Sequence, residues 1–551
     1  MRSINQLLKQ ASLSQKSQYN FSQTNLKKVI AEIIPQKQAE LKEVKEKYGD
    51  KVVGQYTVKQ VIGGMRGMKG LMSDLSRCDP YQGIIFRGYT IPQLKEFLPK
   101  ADPKAADQAN QEPLPEGIFW LLMTGQLPTH AQVDALKHEW QNRGTVNQDC
   151  VNFILNLPKD LHSMTMLSMA LLYLQKDSKF AKLYDEGKIS KKDYWEPFYE
   201  DSMDLIAKIP RVAAIIYRHK YRDSKLIDSD SKLDWAGNYA HMMGFEQHVV
   251  KECIRGYLSI HCDHEGGNVS AHTTHLVGSA LSDPYLSYSA GVNGLAGPLH
   301  GLANQEVLKW LLQFIEEKGT KVSDKDIEDY VDHVISSGRV VPERVQLLKK
   351  QQRQDLDKQA LQQYQHKIKL LIKHNLPHIL RQINYLENIK NLKQRLIKAI
   401  NHLPEFSDHN LYQNNKEINK QWKEIQFINK LSYGHAVLRD TDPRFHHQVD
   451  FSKFHLKDDQ MIKLLHQCAD VIPKKLLTYK KIANPYPNVD CHSGVLLYSL
   501  GLTEYQYYTV VFAVSRALGC MANLIWSRAF GLPIERPGSA DLKWFHDKYR
   551  E

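Results

Sequence analysis

Apolar residues along this chain recur mainly at the spacing of α-helices. The run from Leu302 to Ile315 has apolar side chains at positions 308, 311, 312 and 315, which form one helix face. Other helical stretches lie at 161–174 and 508–526, and the apolar run 118–123 is followed by Gly125 and Pro128, which end helices. The period-two alternation typical of half-buried strands is scarce. We therefore predict a mainly α protein, and the length of 551 residues predicts two or more domains.

The segment just before the helix at Leu302 is the most informative one for chemistry. It reads Gly297-Pro298-Leu299-His300-Gly301, with one histidine between glycines at a helix N-terminus. The glycines allow close approach of other atoms, and the positive end of the helix dipole disfavours an imidazolium. A neutral imidazole that donates N–H to a carbonyl oxygen stabilises an enolate. The motif predicts a site that forms carbanions next to carbonyls, with a histidine that merely packs at a helix start as the alternative.

The net charge of +12 invites a nucleic-acid or membrane-surface function, but the location of the charge argues against both. Residues 343–432 contain 17 Lys and Arg against 8 Asp and Glu, and residues 1–20 contain three basic residues and no acid; the rest holds 53 of each kind. The basicity therefore belongs to two appended segments and says little about the substrate. The run 508–526 has Arg516 near its centre, so we predict a buried helix there and no membrane partner.

Residues 1–20 have the acid-poor composition of a mitochondrial presequence. They carry Arg2, Lys9 and Lys16, with leucines that could line one helix face. An ordinary disordered N-terminus is the alternative. The seven cysteines are scattered, odd in number and without a C-x-x-C pair, which indicates a reducing compartment. We predict that the protein resides in the mitochondrial matrix.

Several long motifs together point to one enzyme family. They are residues 261–268, 270–285, 293–301, 433–439, 441–444, 488–490 and 515–519. These motifs closely resemble citrate synthases of the mitochondrial type, and the resemblance runs from about residue 25 to about residue 537. It implies a two-domain, nearly all-helical homodimer whose small domain closes over the substrate. On this chain it implies a large domain at 21–299 and 498–551 and a small domain at 300–497.

The resemblance also implies a reaction. Citrate synthases condense acetyl-coenzyme A with oxaloacetate and hydrolyse the citryl thioester, the first step of the tricarboxylic acid cycle, without a metal or other cofactor. Such a condensation needs a base, a hydrogen-bond donor to the enol and a group that polarises the keto acid. By resemblance, Asp490 is the base, His300 donates to the thioester oxygen and His435 polarises the oxaloacetate carbonyl. Outside this context each would be an ordinary capping or packing residue.

The substrate-binding residues follow from the same resemblance. A dicarboxylate needs guanidinium groups, which pair with carboxylates bidentately and stay protonated. The residues that match oxaloacetate ligands are His264, Arg444, Arg516 and Arg536, the last of which would reach in from the partner subunit, so that the active site requires a dimer. For coenzyme A the matches are Arg66 in the glycine-rich turn 63–70, Val340 and Val341, and Lys191, which stands where some relatives have arginine.

One segment departs from the family pattern. In relatives, Arg339 to Pro342 continues through one glycine to Tyr433, and this loop cradles the adenine end of coenzyme A. Here residues 343–432 intervene, rich in Gln, Asn and Lys and without Gly, Cys or Met, and Ser432 stands where the glycine is expected. Three interpretations of this segment are possible at this point: a solvated low-complexity insertion, a retained non-coding sequence, or a partner-binding helix pair. The departure predicts weakened coenzyme A binding.

Other kinds of function are open at this point. His261, His264, His272 and His275 could form a zinc site beside Glu265, but no further ligand completes the set, and we predict no metal. A 2-methylcitrate synthase, which uses propionyl-coenzyme A, differs by a pocket one methylene larger, which the sequence does not resolve. A filament-forming structural homologue with impaired coenzyme A binding would use the basic arm for contacts between dimers.

Overall fold

The computed structural model describes residues 23–65, 67–105, 107–337, 432–434, 437–479 and 484–550. The chain divides into two units, one formed by 1–324 and 430–551 and the other by 325–429, of which only 325–337 are described. The predicted presequence at 1–20 and nearly all of the segment 343–432 lie outside the described residues. The division into a large and a small helical domain stays a prediction.

Helices make up most of the described chain, which confirms the predicted fold class. The N-terminal half contains α1 (Leu26–Tyr48), α2 (Val58–Ile62), α3 (Ile91–Phe97), α4 (Pro115–Thr124), α5 (His130–Arg143), α6 (Gln148–Leu155), α7 (Ser163–Leu174), α8 (Lys179–Asp185), α9 (Trp195–Tyr221), α10 (Trp235–Met243) and α11 (His248–Ile260). The C-terminal half contains α12 (Val269–Ser279), α13 (Pro284–Leu295), α14 (Ala303–Lys318), α15 (Asp324–Ser337), α16 (Pro443–His455), α17 (Gln460–Leu477), α18 (Asp490–Ser499), α19 (Tyr508–Ala529) and α20 (Leu542–Tyr549). Short 3₁₀ turns lie at Gln108–Asn110, Gln175–Asp177, Lys191–Asp193 and Tyr505–Tyr507.

The hydrophobic pattern predicts several of these helices closely. Helix α4 covers the apolar run 118–123 and ends at Gly125, which adopts the left-handed conformation that glycine favours, with φ 75°. Helix α7 covers most of 161–174, and α14 begins just after Leu302. The helix after His300 therefore exists, with ends slightly later than the apolar periodicity predicts.

One small sheet supports the site. Among the described residues it consists of β1 (Ser76–Asp79), β2 (Gly83–Phe86) and β3 (Tyr89–Thr90), in that order and antiparallel. In the register, Ser76 pairs with Phe86 and Ile85 with Thr90. The Ser76 hydroxyl donates to Asp263 Oδ2 at 2.6 Å, and the backbone N–H of Glu265 donates to Ser76 Oγ at 2.8 Å. The sheet is thus hydrogen-bonded to both chain neighbours of His264.

Helix α19 lies at the centre of the first unit. Nearly all of its residues are buried, so it is apolar on every side rather than amphipathic. By length and composition alone, the stretch Tyr505–Ala529 could cross a membrane, but almost all of it is buried inside the protein; no other helix in the described part of the chain passes that test. The stretch is therefore the core helix that the sequence predicts.

Two glycines let helices approach closely at the site. A Cβ on Gly519 of α19 would lie 2.5 Å from Asp263 Cβ, and the Gly519 N–H donates to the Cys262 carbonyl at 3.1 Å. A Cβ on Gly494 of α18 would lie 2.4 Å from the Asn304 carbonyl oxygen. Real Cβ atoms do not come this close, so larger residues would push these elements apart. The first glycine brings α19 to the turn that carries His264, and the second brings α18 to the start of α14, next to His300.

Candidate active site

His300 lies in the turn before α14, where its imidazole meets the first turn of α12. The backbone N–H of Ser270 donates to His300 Nε2 at 3.3 Å, and the Ser270 hydroxyl lies 3.1 Å from the same nitrogen. This N–H is one of those at a helix start that have no partner within the helix. Because Nε2 accepts it, the proton of the neutral ring lies on Nδ1.

The electrostatic surroundings keep His300 neutral. Burial, together with the charge of Arg516, lowers the pKa of His300 to about 4. The helix-end position also predicts a lowered pKa for His300, although burial is the main cause of the lowering. At neutral pH the ring is therefore an uncharged N–H donor, as the enolate hypothesis requires.

Arg516 lies in the middle of α19 and is tied to the same helix start. Its Nη1 donates to Asn268 Oδ1 at 2.8 Å and to Ser270 Oγ at 3.2 Å, and its Nε donates to the His261 carbonyl at 3.2 Å. The guanidinium lies 4.9 Å from the centre of the Phe512 ring. The side chain is only 2% exposed, so this cation is fixed in orientation before any substrate arrives.

Asp490 is the first residue of α18. Its backbone N–H donates to Asn488 Oδ1 at 3.0 Å, and its side chain is half-buried. Burial raises the pKa of this carboxyl to about 6; Arg444 and Arg516 act against the rise, and Asp442 adds to it. Asp490 therefore lies within electrostatic reach of both arginines and is a stronger base than an ordinary aspartate.

Arg444, in the first turn of α16, is held by the residue that caps this helix. Asp442 accepts from the Arg444 backbone N–H at 2.9 Å, and its Oδ2 accepts from Arg444 Nη2 at 2.7 Å. Burial acts to lower the pKa of Arg444, but the carboxylates of Asp442 and Asp490 act against it and the pKa is raised. The Asp442 N–H donates to the Pro487 carbonyl at 3.3 Å, which joins the arginine's helix to the turn before Asp490.

The described residues just before His435 are hydrogen-bonded to the turn that precedes Asp490. Tyr433 forms a bridge with Pro487, and the Gly434 N–H donates to the Tyr486 carbonyl at 2.7 Å. Asn488 makes two further hydrogen bonds between these segments. Its N–H donates to the Ser432 carbonyl at 2.9 Å, and its Nδ2 donates to the Gly434 carbonyl at 3.0 Å. This pairing holds the C-terminal end of the segment 343–432 next to Asp490.

Ser432 itself adopts a conformation that favours glycine. Its φ is 55°, in the left-handed region, where a Cβ is strained. Its hydroxyl is buried and has no hydrogen-bond partner among the described residues. The position where the family pattern has glycine therefore keeps a glycine-like backbone while carrying serine.

The remaining predicted residues divide into those that the structure describes and those that it does not. His264 is half-buried in the turn before α12, and its carbonyl accepts from Asn268 Nδ2 at 2.7 Å. Arg536 is exposed in the segment after α19, and Lys191 is exposed at the start of a 3₁₀ turn. The other predicted site residues, Arg66, Val340, Val341 and His435, lie outside the described residues.

The sequence does not predict the residues that hold the site side chains in place. They are Asn268, Ser270, Asp442 and Asn488. Two of them are helix caps with recognisable signals: Asn268 accepts from the Ala271 N–H at 3.2 Å, and Asp442 precedes a proline at the first helical position. The partner of each cap in the active site depends on contacts between distant segments, which local pattern does not predict.

The candidate zinc histidines have other partners. His272 Nε2 lies 2.7 Å from Glu535 Oε1, and His261 Nδ1 lies 2.9 Å from the Tyr257 carbonyl. Across the described ranges, three or more His, Cys, Asp or Glu side chains nowhere converge as metal ligands do. The described groups that the site brings together are a carboxylate of raised pKa (Asp490), a neutral imidazole (His300) and two fixed cations (Arg444 and Arg516).

Comparison with known proteins gives a consistent result. A family model described as the citrate synthase C-terminal domain matches residues 64–346 and 396–538. The mitochondrial citrate synthase of Tetrahymena thermophila is 84% identical over 551 residues, which cover all of both chains and include the segment 343–432. The mitochondrial citrate synthase of Xiphias gladius is 45% identical over 519 residues, which cover 94% of this chain and 90% of the relative.

A solved structure agrees on the fold. The crystal structure of citrate synthase from Pyrobaculum aerophilum matches with a TM-score of 0.60 at 21% identity, covering 89% of this chain and 95% of that one. At this identity the likeness concerns the fold alone.

Proposed function

The chain belongs to the citrate synthase family, and we propose that Asp490, His300 and His435 carry out the family's reaction in it. The enzyme condenses acetyl-coenzyme A with oxaloacetate to citrate in the mitochondrial matrix, as the first step of the tricarboxylic acid cycle. The observation that carries the assignment of roles is that the charge of Arg516 reaches both groups: the Asp490 carboxylate, whose pKa is raised by burial, and the His300 imidazole, which burial keeps neutral.

In the first step Asp490 removes a proton from the acetyl methyl group. The C–H electron pair becomes the carbon–carbon double bond of the enol, and the negative charge moves to the thioester oxygen. His300 donates its Nδ1–H to that oxygen, because Nε2 is already occupied by the Ser270 N–H. A pKa of about 6 for Asp490 brings the base closer to a weakly acidic carbon while leaving it ionised at pH 7 or above.

In the second step the enol carbon attacks the keto carbon of oxaloacetate. The dicarboxylate would be held by His264, Arg444 and Arg516, of which the two arginines are buried and fixed by Asp442 and Asn268. Fixed cations spare the reaction the cost of orienting them at the moment of charge movement. His435 would polarise the keto oxygen, and water then hydrolyses the citryl thioester to release citrate and coenzyme A.

We assign the third oxaloacetate arginine, Arg536, to the partner subunit's active site, which makes the enzyme an obligate homodimer. Two observations support this. Arg536 is exposed in the single chain, and so are the apolar residues Leu276 of α12 and Leu286 of α13, at 41% and 38%. Apolar side chains on neighbouring helices suit a surface that a second copy covers.

The coenzyme A assignments stay predictions by resemblance. They are Arg66, Val340, Val341 and Lys191, and no distance supports them. We also propose that no resident cofactor takes part, because the carboxylate, imidazole and guanidinium groups suffice for proton transfer and charge stabilisation.

A thiol-release assay tests the proposal. The purified full chain should release coenzyme A from acetyl-coenzyme A only when oxaloacetate is present, and propionyl-coenzyme A should give a lower kcat/KM. A folded dimer without oxaloacetate-dependent thiol release would refute the enzyme assignment. A higher kcat/KM with propionyl-coenzyme A would instead point to 2-methylcitrate synthase.

A further inference from the structure

The segment that follows α19 is fastened to α12 through one glutamate. Glu535 Oε1 lies 2.7 Å from His272 Nε2, and its Oε2 lies 3.6 Å from His275 Nδ1. The Glu535 backbone N–H also donates to Ser279 Oγ at 3.0 Å, and that hydroxyl donates to the Leu276 carbonyl at 2.7 Å. The two histidines are three positions apart, so they lie on one face of α12. One residue is thus held by both its side chain and its backbone.

This fastening determines where the next residue points. Pro537 restricts the preceding Arg536 to extended backbone, in which successive side chains point to opposite sides. The exposures alternate accordingly: Ile534 is 61% exposed, the Glu535 side chain is 23% exposed, and Arg536 is exposed. Because Glu535 points to α12, Arg536 points away from it and out of the subunit.

The same helix also organises the active site of its own subunit. At its N-terminal turn, Ser270 donates to His300 and accepts from Arg516. Further along, His272 is hydrogen-bonded to Glu535, and His275 lies beside the second carboxylate oxygen. Helix α12 therefore connects the groups around His300 with the segment that presents Arg536.

We propose that Glu535, held by the His272 side chain and by its own backbone bond to Ser279, is a positioning residue that orients Arg536 toward the oxaloacetate of the partner subunit. The inference rests on the proposed function, because it takes Arg536 as an oxaloacetate ligand in trans. An arginine on a segment free to move would lose side-chain and backbone entropy each time it bound the dicarboxylate; this fastening removes part of that loss beforehand.

Kinetics of five variants test the proposal, with dimer mass checked by sedimentation. Arg536→Ala should raise the KM for oxaloacetate by roughly tenfold to a hundredfold, the usual range for a hydrogen-bonded charge pair. Glu535→Gln, which keeps the size but removes the charge, should raise that KM roughly fivefold to tenfold, consistent with a loosened rather than a deleted ligand. The kcat and the KM for acetyl-coenzyme A should stay within about twofold of wild type. His272→Gln should reproduce the Glu535→Gln pattern from the other side of the hydrogen bond.

The double variant separates positioning from a merely structural role. If Glu535 acts through Arg536, adding Glu535→Gln to Arg536→Ala should raise the KM for oxaloacetate no further. Glu246→Gln is the matched control, since Glu246 also pairs with a histidine, His241 at 2.5 Å, but its side chain is 62% exposed. That control should behave as wild type.

The outcomes distinguish failure of the positioning role of Glu535 from failure of the proposed role of Arg536 as an oxaloacetate ligand. If Arg536→Ala raises the KM but Glu535→Gln and His272→Gln do not, the positioning role is wrong and the proposed function stands. Effects of Glu535→Gln and Arg536→Ala that multiply in the double variant would also overturn the positioning role. If Arg536→Ala itself leaves the KM for oxaloacetate unchanged, both the ligand assignment and the inference fail.

Discussion

The raised pKa of Asp490 predicts an unusual acid limb in the pH dependence of the enzyme. Burial raises this pKa from 3.8 to about 6, and the base must be ionised to accept a proton. As the pH falls through 6, the fraction of ionised Asp490 falls, and kcat/KM for acetyl-coenzyme A should fall with it. Above pH 7 the carboxylate is almost fully ionised and kcat/KM should level off.

The size of the effect follows from the shift. With a pKa of about 6, roughly one tenth of the carboxyl is ionised at pH 5, so kcat/KM there should be about one tenth of the plateau. An aspartate with the ordinary pKa would remain more than about 90% ionised at pH 5 and would lose almost nothing. His300, whose pKa is lowered to about 4, stays neutral over most of this range and should not contribute to the limb.

Initial rates at saturating oxaloacetate, between pH 5 and 8 at constant ionic strength, measure the limb. The variant Asp442→Asn shows whether the acid limb reflects ionisation of Asp490. The negative charge of Asp442 adds to the pKa of Asp490, so removing that charge should move the limb to lower pH. The position of the limb is the readout, because loosening Arg444 will also change substrate binding. A wild-type limb near pH 4, or a limb that moves upward in Asp442→Asn, would refute the reasoning.

Three further predictions follow from other parts of the structure. His300→Ala should lower kcat on the order of a hundredfold while the KM for oxaloacetate changes little, because the ring acts on the enol; steady-state kinetics with wild-type-like turnover would contradict this. Ser432→Gly should stabilise the protein by about 1 kcal/mol or more, because it removes left-handed strain at φ 55°; thermal denaturation with an unchanged or lower Tm would count against it. Joining Pro342 to Tyr433 through one glycine should tighten coenzyme A binding and leave oxaloacetate binding unchanged in calorimetric titrations, because the adenine-cradling loop would become continuous. Equal coenzyme A affinity in the two chains would show that the segment 343–432 does not disturb this site.

The sequence predicts the helices and the chemistry of this protein better than it predicts the surroundings of each reactive group. The periodicity that predicts α14 and α19 is local, and so is the glycine-flanked motif of His300. The orientation of His300 depends instead on Ser270, thirty positions away. The basicity of Asp490 depends on burial, which raises its pKa against the charge of Arg444. Such contacts arise only when distant helices pack, and no window along the chain contains both partners.

The C-terminal end of the segment 343–432 illustrates the same limit. The family pattern expects glycine at position 432, and the structure gives Ser432 the backbone that glycine would adopt. A pattern can therefore predict the conformation of a position that the residue itself disfavours. It does not predict that Asn488 holds this backbone in place through both its N–H and its side-chain amide.

The central claim is that Asp490 removes a proton from the acetyl group, and proton exchange tests it most directly. Acetyl-coenzyme A in D₂O, with the enzyme and a 2-hydroxy dicarboxylate that fills the oxaloacetate site but cannot condense, can be followed by the loss of the methyl ¹H NMR signal. We expect the wild-type enzyme to exchange the methyl protons at pH 7.5, and Asp490→Asn to exchange them on the order of a hundredfold more slowly with the dicarboxylate still bound. Exchange by Asp490→Asn at the wild-type rate would contradict the account.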